Sequence, residues 1–479
     1  MIPTQKNITS NFFSISFSQV INLIFNLLSF ALIARYLLIE DFGNFSILIA
    51  VVGIISKVID FGISPIVFRE TSKEGSSFNL VNTAFTLRLL FFVFTALSTN
   101  IFLILTSSSQ NEIIMLNILL LSIIISSRMA NFRDLLSNPF KVHLQMHLPS
   151  LLNVLDTILF FILVLFMPHV NGGLLYLTFA YVFSNVPGFL ILVFLLYKKF
   201  NFKLKLNIDN YKWLLKESAP IAGFVILMAI FQQIDILLIK LFENSYSAGI
   251  YASAQRLVIP LSIIPTAIVT TVFPIIMREE VNREVLIQVV YKVLLFISIV
   301  IATIFTFKST FFISLIYSPK YNSADIPTVI LLWSQVFIFF NAFSLALFTA
   351  ERKQILHLYY SILLVLINVI LGIILILEYS YLGAVIAKTS ASLIGFLYII
   401  FSIKIINVKI RLINWHSITW FLGIILSAYL LSNYNIIIYA VSLSLVFMLL
   451  TIITGYFNKV ELNYFLRAFN MNNLAKYFE

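Results

Sequence analysis

Of 479 residues, 61% are hydrophobic and only 11% charged, with a mean hydropathy of +1.02. A soluble globular domain carries about 25% charged residues, so the chain lacks the polar surface that water demands. The absence of cysteine excludes disulfides, thiol catalysis and thiolate metal sites. The formal net charge of +11 points to no partner until its placement is known.

Apolar stretches of roughly 20 residues recur along the chain, the length a helix needs to cross the hydrocarbon core. They predict spans at 11–33, 42–66, 80–105, 112–132, 148–168, 174–197, 218–242, 247–275, 289–314, 325–349, 355–377, 381–403, 417–432 and 435–455. Each such helix satisfies its own backbone hydrogen bonds, as lipid cannot do for it. The expected class is an all-α polytopic membrane protein of about fourteen spans. The first stretch has no small-residue cleavage site after it and reads as a retained span rather than a signal. His143 and His147 share a helical spacing but lie in a basic connection, where surface histidines are the expected reading. Neither a metal nor a cofactor is expected.

Lys and Arg crowd into alternate connections. One set holds Lys6; Arg69 and Lys73; Arg133 and Lys141; Lys198, Lys199, Lys203, Lys205, Lys212 and Lys216. It continues with Arg278, Arg283 and Lys292; Arg352 and Lys353; Lys404, Lys409 and Arg411; Lys459, Arg467 and Lys476. The other set holds only Arg35, Lys240, Lys308 and Lys320. The positive-inside rule then places both termini in the cytoplasm. It also disposes of nucleic acid as a partner, because the basic excess faces membrane lipids.

An offset of about 206 residues carries spans 1–6 onto spans 7–12, and Asp41-Phe42-Gly43-Asn44-Phe45 corresponds weakly to Ser247-Ala248-Gly249-Ile250-Tyr251. Six spans per copy preserve orientation, so the repeat is of the parallel kind. The expected organisation is an N-terminal six-helix lobe over 1–197, a basic linker over 198–217 and a C-terminal six-helix lobe over 218–403. Two additional spans and a tail follow over 404–479. The two lobes would enclose a central cavity open alternately to either side.

Three segments carry a resemblance to a known family. Ala34-Arg35-Tyr36-Leu37 and Glu40-Asp41-Phe42-Gly43 lie between spans 1 and 2. Asp235-Ile236-Leu237-Leu238-Ile239 and Ala248-Gly249-Ile250-Tyr251-Ala252-Ser253-Ala254-Gln255-Arg256 are their second-half counterparts. Leu315-Ile316-Tyr317-Ser318-Pro319-Lys320-Tyr321 precedes span 10. The chain thereby resembles the O-antigen (Wzx-type) polysaccharide flippases of the multidrug/oligosaccharidyl-lipid/polysaccharide exporter superfamily. The resemblance implies a MATE-like, two-lobed transporter in the bacterial inner membrane. Its expected substrate is an undecaprenyl-diphosphate-linked glycan, such as an O-antigen or capsule repeat unit, and it would work beside polysaccharide polymerase machinery. Lipid II flippases of that superfamily tend to carry arginines in the first two spans. Here span 1 is uncharged before Arg35 and span 2 offers Lys57 and Asp60.

Lys57, Asp60, Arg88, Arg128, Asp156, Asp235, Arg256 and Lys388 lie within spans. Each costs about 2.5–3.5 kcal/mol near a helix centre on insertion scales, so they must face one another or water. Lys57 and Asp60 are three residues apart and can pair; Arg128 is near a helix end and can snorkel. Arg88 and Arg256 can take a phosphate bidentately. The expected headgroup ligands are therefore Arg88, Arg256, Lys57, Arg128 and Lys388, and Arg88→Ala is expected to lose glycan export while folding normally. Asp235 is expected either to pair with Arg256 or to bind H+ or Na+ with Asn368; Asp60 and Asp156 join it as coupling or lobe-pairing acids. The in-membrane charge is net positive, which suits a dianionic diphosphate better than a cationic drug.

No G-x-x-x-x-G-K-[ST], G-x-S-x-G or H-E-x-x-H motif occurs, and an enzyme is not expected. A membrane O-antigen polymerase or ligase would need a long outer loop, and the longest outer connection, about 314–325, is short. A multidrug or other small-molecule exporter of the same superfamily is the remaining alternative.

Overall fold

A computed structural model describes residues 5–73, 78–105, 109–276, 283–406, 415–457, 461 and 463, without the side chains of 5–14, 16 and 274. The expected loop charges Lys6, Arg278, Lys409, Arg411, Lys459, Arg467 and Lys476 lie outside the described side chains. All regular structure among the described residues is helical. The chain divides into two compact units, Met1–Ala252 and Ser253–Glu479.

In the first unit, α1 (Gln5–Tyr36) lies along α8 (His147–Phe166), joined by the edge-to-face rings of Phe25 and Phe161 with centroids 5.2 Å apart. The second span is α2 (Ile39–Asp60), which stops where Phe61 and Gly62 turn left-handed, with φ of 45° and 66°. A short helix, α3 (Ile63–Thr71), continues from that turn. Gly62 is required there twice over, for its backbone and because a side chain would strike Ala222 and Ser218. Next come α4 (Asn79–Leu105), α5 (Gln110–Ile125), α6 (Phe132–Leu136) and α7 (Asn138–Val142). The sixth span is split into α9 (Leu174–Phe183) and α10 (Val186–Phe200), and α11 (Tyr211–Phe242) packs on α2 and α3.

Beyond the end of α2, Arg69 bridges Glu70 at 2.9 Å and Glu217 of α11 at 3.1 Å. The hydrogen bond from Lys73, supported by Arg69, holds the Glu70 carboxyl below its ordinary value.

The segment α12 (Ser245–Val258) leads through a turn at Pro260 into α13 (Ile263–Ile276). The second unit is then built on α14 (Arg283–Ile316), α15 (Asp325–Ala350) and α16 (Ile355–Ile403). Although continuous by hydrogen bonding, α16 is an antiparallel hairpin. Ser380 is left-handed, with φ of 51°, and Gly383 sits against the Leu375 carbonyl. Further along, Gly395 meets Tyr360 and Leu364, and Tyr398 donates to the Leu356 carbonyl at 3.3 Å. Finally α17 (Trp415–Leu431) and α18 (Ile436–Ile453) pack on α14, where Trp420 and Tyr456 stack beside Phe296.

Among the described residues, eleven segments are long and apolar enough to cross a membrane. The longest, Ile355–Ile406, breaks at Ser380 into two lengths, and α5 and α17 are shorter apolar helices; counted together with the rest they match the expected fourteen. Large apolar side chains such as Phe94, Leu105, Ile437 and Met448 are exposed on outer helix faces, as a lipid-facing surface requires.

Two expected connection charges are corrected. Lys292 lies inside α14, buried and paired with Glu461 at 2.7 Å while donating to the Tyr456 carbonyl at 3.1 Å. Arg133 is buried against Asp156. Both sit close to span ends, where a side chain can turn inward to an acid instead of outward to water.

Candidate substrate site

The fourth span was expected to run to 132, but α5 ends at Ile125. Ser126 is extended, Ala130 is left-handed with φ of 46°, and Asn131 has φ −121° and ψ −107°. The local cause is composition: Ser126, Ser127 and Asn131 have short polar side chains that compete for backbone groups. The sixth span breaks beside it, at Ser184 and Asn185, just before Pro187, which cannot donate a backbone hydrogen bond. Irregular backbone in a membrane protein must be satisfied by protein or line a cavity.

The freed groups are satisfied by buried polar side chains. Asn131 Nδ2 donates to the Ser56 carbonyl at 2.6 Å, and Ser56 Oγ donates to the Met129 carbonyl at 3.1 Å. Ser126 Oγ donates to Asn185 Oδ1 at 3.0 Å, and Asn185 Nδ2 donates to the Tyr181 carbonyl at 2.8 Å. Two buried ion pairs brace the same region. Arg88 pairs with Asp60 and donates to Ser64 Oγ at 2.6 Å and to the Asn131 carbonyl at 2.7 Å. Arg133 pairs with Asp156 and donates to the Ile125 carbonyl at 3.3 Å. Gly188 leaves the room: a Cβ there would lie 2.1 Å from Asp156 Oδ1.

Against this scaffold lies a cavity of about 220 Å³, lined by Gly53 and Lys57 of α2, Arg128 of the unwound segment, Tyr181 of α9, and Gln232 and Gln233 of α11. Among the described residues, no carboxylate lines it. The Arg128 guanidinium lies 4.6 Å from the Phe160 ring centroid and 5.0 Å from that of Tyr181. One of its nitrogens donates to the Tyr181 carbonyl at 3.4 Å, while Nε and the other terminal nitrogen are buried without a hydrogen-bond partner. Lys57 makes no ion pair among the described residues, because Asp60 turns instead to Arg88. Two cations flanked by amide donors, with no acid among them, can hold an anion with several acceptor oxygens.

The structure thus brings together Lys57 and Arg128 in one place, Asp60 with Arg88 in a second, and Asp156 with Arg133 in a third. Asp235 of α11 is buried and accepts from Tyr251 Oη at 2.8 Å. Arg256 of α12 is half-buried, and Asn368 and Lys388 of α16 are buried; these three belong to the second unit. Gln232 and Gln233 are uncharged and were not among the expected site residues. Adjacent glutamines in an otherwise apolar span were the available signal.

The fold is shared with solved transporters. Over 93% of this chain and 98% of the other, it matches the lipid II flippase MurJ in an inward closed conformation, with TM-score 0.73 and 17% identity. It matches an inward-facing multidrug resistance MATE family transporter of the MOP superfamily over 81% of this chain and 95% of that one (TM-score 0.62, 15% identity). A MOP superfamily transporter from Pyrococcus furiosus matches over 84% and 97%, with TM-score 0.57 and 16% identity. Fold and spans define an all-helical, multi-pass membrane protein that shares the fold of these transporters. The polysaccharide biosynthesis protein family model matches residues 8–280, more than half the chain, and the protein belongs to that family. It is also 23% identical over 250 residues to the capsular polysaccharide biosynthesis protein CapF of Staphylococcus aureus. That match covers 51% of this chain and 62% of the relative, less than two thirds of its length.

Proposed function

We propose that this protein flips an undecaprenyl-diphosphate-linked oligosaccharide, an O-antigen or capsule repeat unit, from the cytoplasmic to the periplasmic leaflet of the bacterial inner membrane. The observation that carries the proposal is the acid-free cavity in which Lys57 and Arg128 present unsatisfied positive charge beside Gln232 and Gln233. A diphosphate diester carries two negative charges and several acceptor oxygens, the complement of that set. Such a polarity disfavours a cationic drug. Family membership and the likeness to CapF and MurJ support a lipid-linked glycan as the substrate class.

In this reading both termini are cytoplasmic, and access alternates between the two sides of the membrane. The lobes are those bounded by the linker 198–217. Lys57 and Arg128 hold the headgroup, and the Asp60–Arg88 and Asp156–Arg133 pairs keep the unwound segment in place. Arg256 and Lys388 are further cationic contacts along the route. Asp235, with Asn368, takes up H+ or Na+ in a coupled cycle; a vesicle transport rate unchanged by Asp235→Asn would remove the coupling. The test of the function is deletion in a polysaccharide-producing host. Diphosphate-linked repeat units accumulating on the cytoplasmic leaflet are expected. Export of single repeat units that fail to lengthen would instead identify a polymerase.

A further inference from the structure

Residues 201–208 between α10 and α11 form neither a helix nor a free tether. They run extended along the first two turns of α4, strapped down at alternate residues. Asn82 Nδ2 donates to the Lys203 carbonyl at 3.5 Å, and Asn82 Oδ1 accepts from Lys205 N at 3.2 Å. Asn207 N donates to Thr86 Oγ1 at 2.9 Å, and Thr83 Oγ1 donates to the Asp209 carbonyl at 3.1 Å. Asn82, Thr83 and Thr86 are buried on one face of α4, and Phe202 anchors the start of the strap in the core beneath.

An extended chain sends successive side chains to opposite faces. One face of the strap carries Leu204, Leu206 and Ile208, exposed at 41%, 74% and 61%. The other carries Lys203 and Lys205, both exposed. Lys198, Lys199, Lys212 and Lys216 flank it, and among the described residues none of the six lysines is in an ion pair. The only acids in the segment are Asp209 and Glu217, and Glu217 is taken by Arg69. The aliphatic row thus leaves apolar surface uncovered directly beside lysines that have no acid to pair with among the described residues. The strap also leads directly onto the apolar outer face of α4 at Leu90, Val93, Phe94 and Leu97.

We infer that the 198–216 segment is an interfacial clamp for acidic phospholipid. The aliphatic edge dips into the acyl boundary, and the lysines hold headgroup phosphates. The exposed rings of Tyr211 and Trp213 at the head of α11 suit the same depth. The clamp requires only that the protein spans a membrane, so its fate is independent of the transported substrate.

The full-length protein is extracted from bilayers of equal phosphatidylglycerol and phosphatidylcholine, and its retained lipids are counted by native mass spectrometry. Preferential retention of phosphatidylglycerol is expected. Lys203→Gln with Lys205→Gln should weaken it about fivefold per lysine removed, with the unfolding temperature in pure phosphatidylcholine unchanged. Leu204→Gln with Leu206→Gln should weaken it as well, by withdrawing the strap from the bilayer. A wild-type protein without preference, or lysine variants that retain phosphatidylglycerol like wild type, would overturn the clamp and leave an ordinary solvated linker.

Discussion

A guanidinium inside a membrane protein must find a counter-charge or water, and Arg88 finds Asp60, Ser64 and the Asn131 carbonyl. Breaking a buried pair by removing one partner costs about 3–5 kcal/mol. Arg88→Ala should therefore lower the unfolding temperature rather than leave folding intact, and Asp60→Ala should do the same. The double variant should fall less than the sum of the two, a non-additivity that thermal melts in detergent can measure. Additive losses would mean that the pair does not act as a unit. Lys57 and Arg128 are different, because neither is in an ion pair among the described residues. Lys57→Ala and Arg128→Ala should each change the unfolding free energy by no more than about 1 kcal/mol. Each should cut glycan export by tenfold or more, since a charge-assisted hydrogen bond to the headgroup is worth about 1.5–3 kcal/mol. Wild-type export from both would place the headgroup elsewhere.

Helix α2 meets the start of α12 at a contact that reads the same from either side. A Cβ on Gly43 would lie 2.0 Å from the Ser245 carbonyl oxygen, and one on Gly249 would lie 2.2 Å from that of Ile39. The offset that carries Gly43 onto Gly249 also carries Ile39 onto Ser245. Reciprocal contact of this kind is what a two-fold relation between repeats produces. Asn44 Oδ1 accepts from Ser245 Oγ at 2.6 Å beside it. Larger residues cannot enter without moving backbone. Gly43→Val should open the crossing, and a cysteine placed at Asn44 should then react faster with an impermeant maleimide. The natural absence of cysteine makes that labelling specific. Conversely, cysteines at both Asn44 and Ser245 should cross-link on oxidation and halt export if the crossing opens during transport. Full export from the cross-linked protein would show that it stays shut.

Across the whole molecule, the proposed cargo moves two negative charges outward, down a cytoplasm-negative potential. At about 150 mV this is favourable by roughly 7 kcal/mol, enough to drive export without a nucleotide. Outward flipping in vesicles should accelerate when a potassium gradient makes the interior negative, and slow when the gradient is dissipated. A rate indifferent to potential would leave ion coupling through Asp235 as the driving force.

Most of the architecture was legible beforehand because lipid imposes a local rule. Each crossing needs about 20 apolar residues whose hydrogen bonds close within the segment. Span number and helical class follow from that rule, residue by residue along the chain. The hairpin of α16 at Ser380 could likewise be anticipated from lengths alone. What could not be anticipated is which ionisable groups cancel. Lys57 and Asp60 share a helix face, yet Asp60 pairs with Arg88 from α4; Arg133 lies at a span end, yet turns inward to Asp156 of α8. Nor did hydropathy reveal that α5 unwinds at Ser126, because the average over a span hides a few polar residues. Partners chosen from distant helices, and backbone freed to meet them, arise only when the helices are packed. For that reason the composition settles that this chain is a membrane protein, while only the packed helices bring Lys57 and Arg128 to one cavity with neither in an ion pair among the described residues.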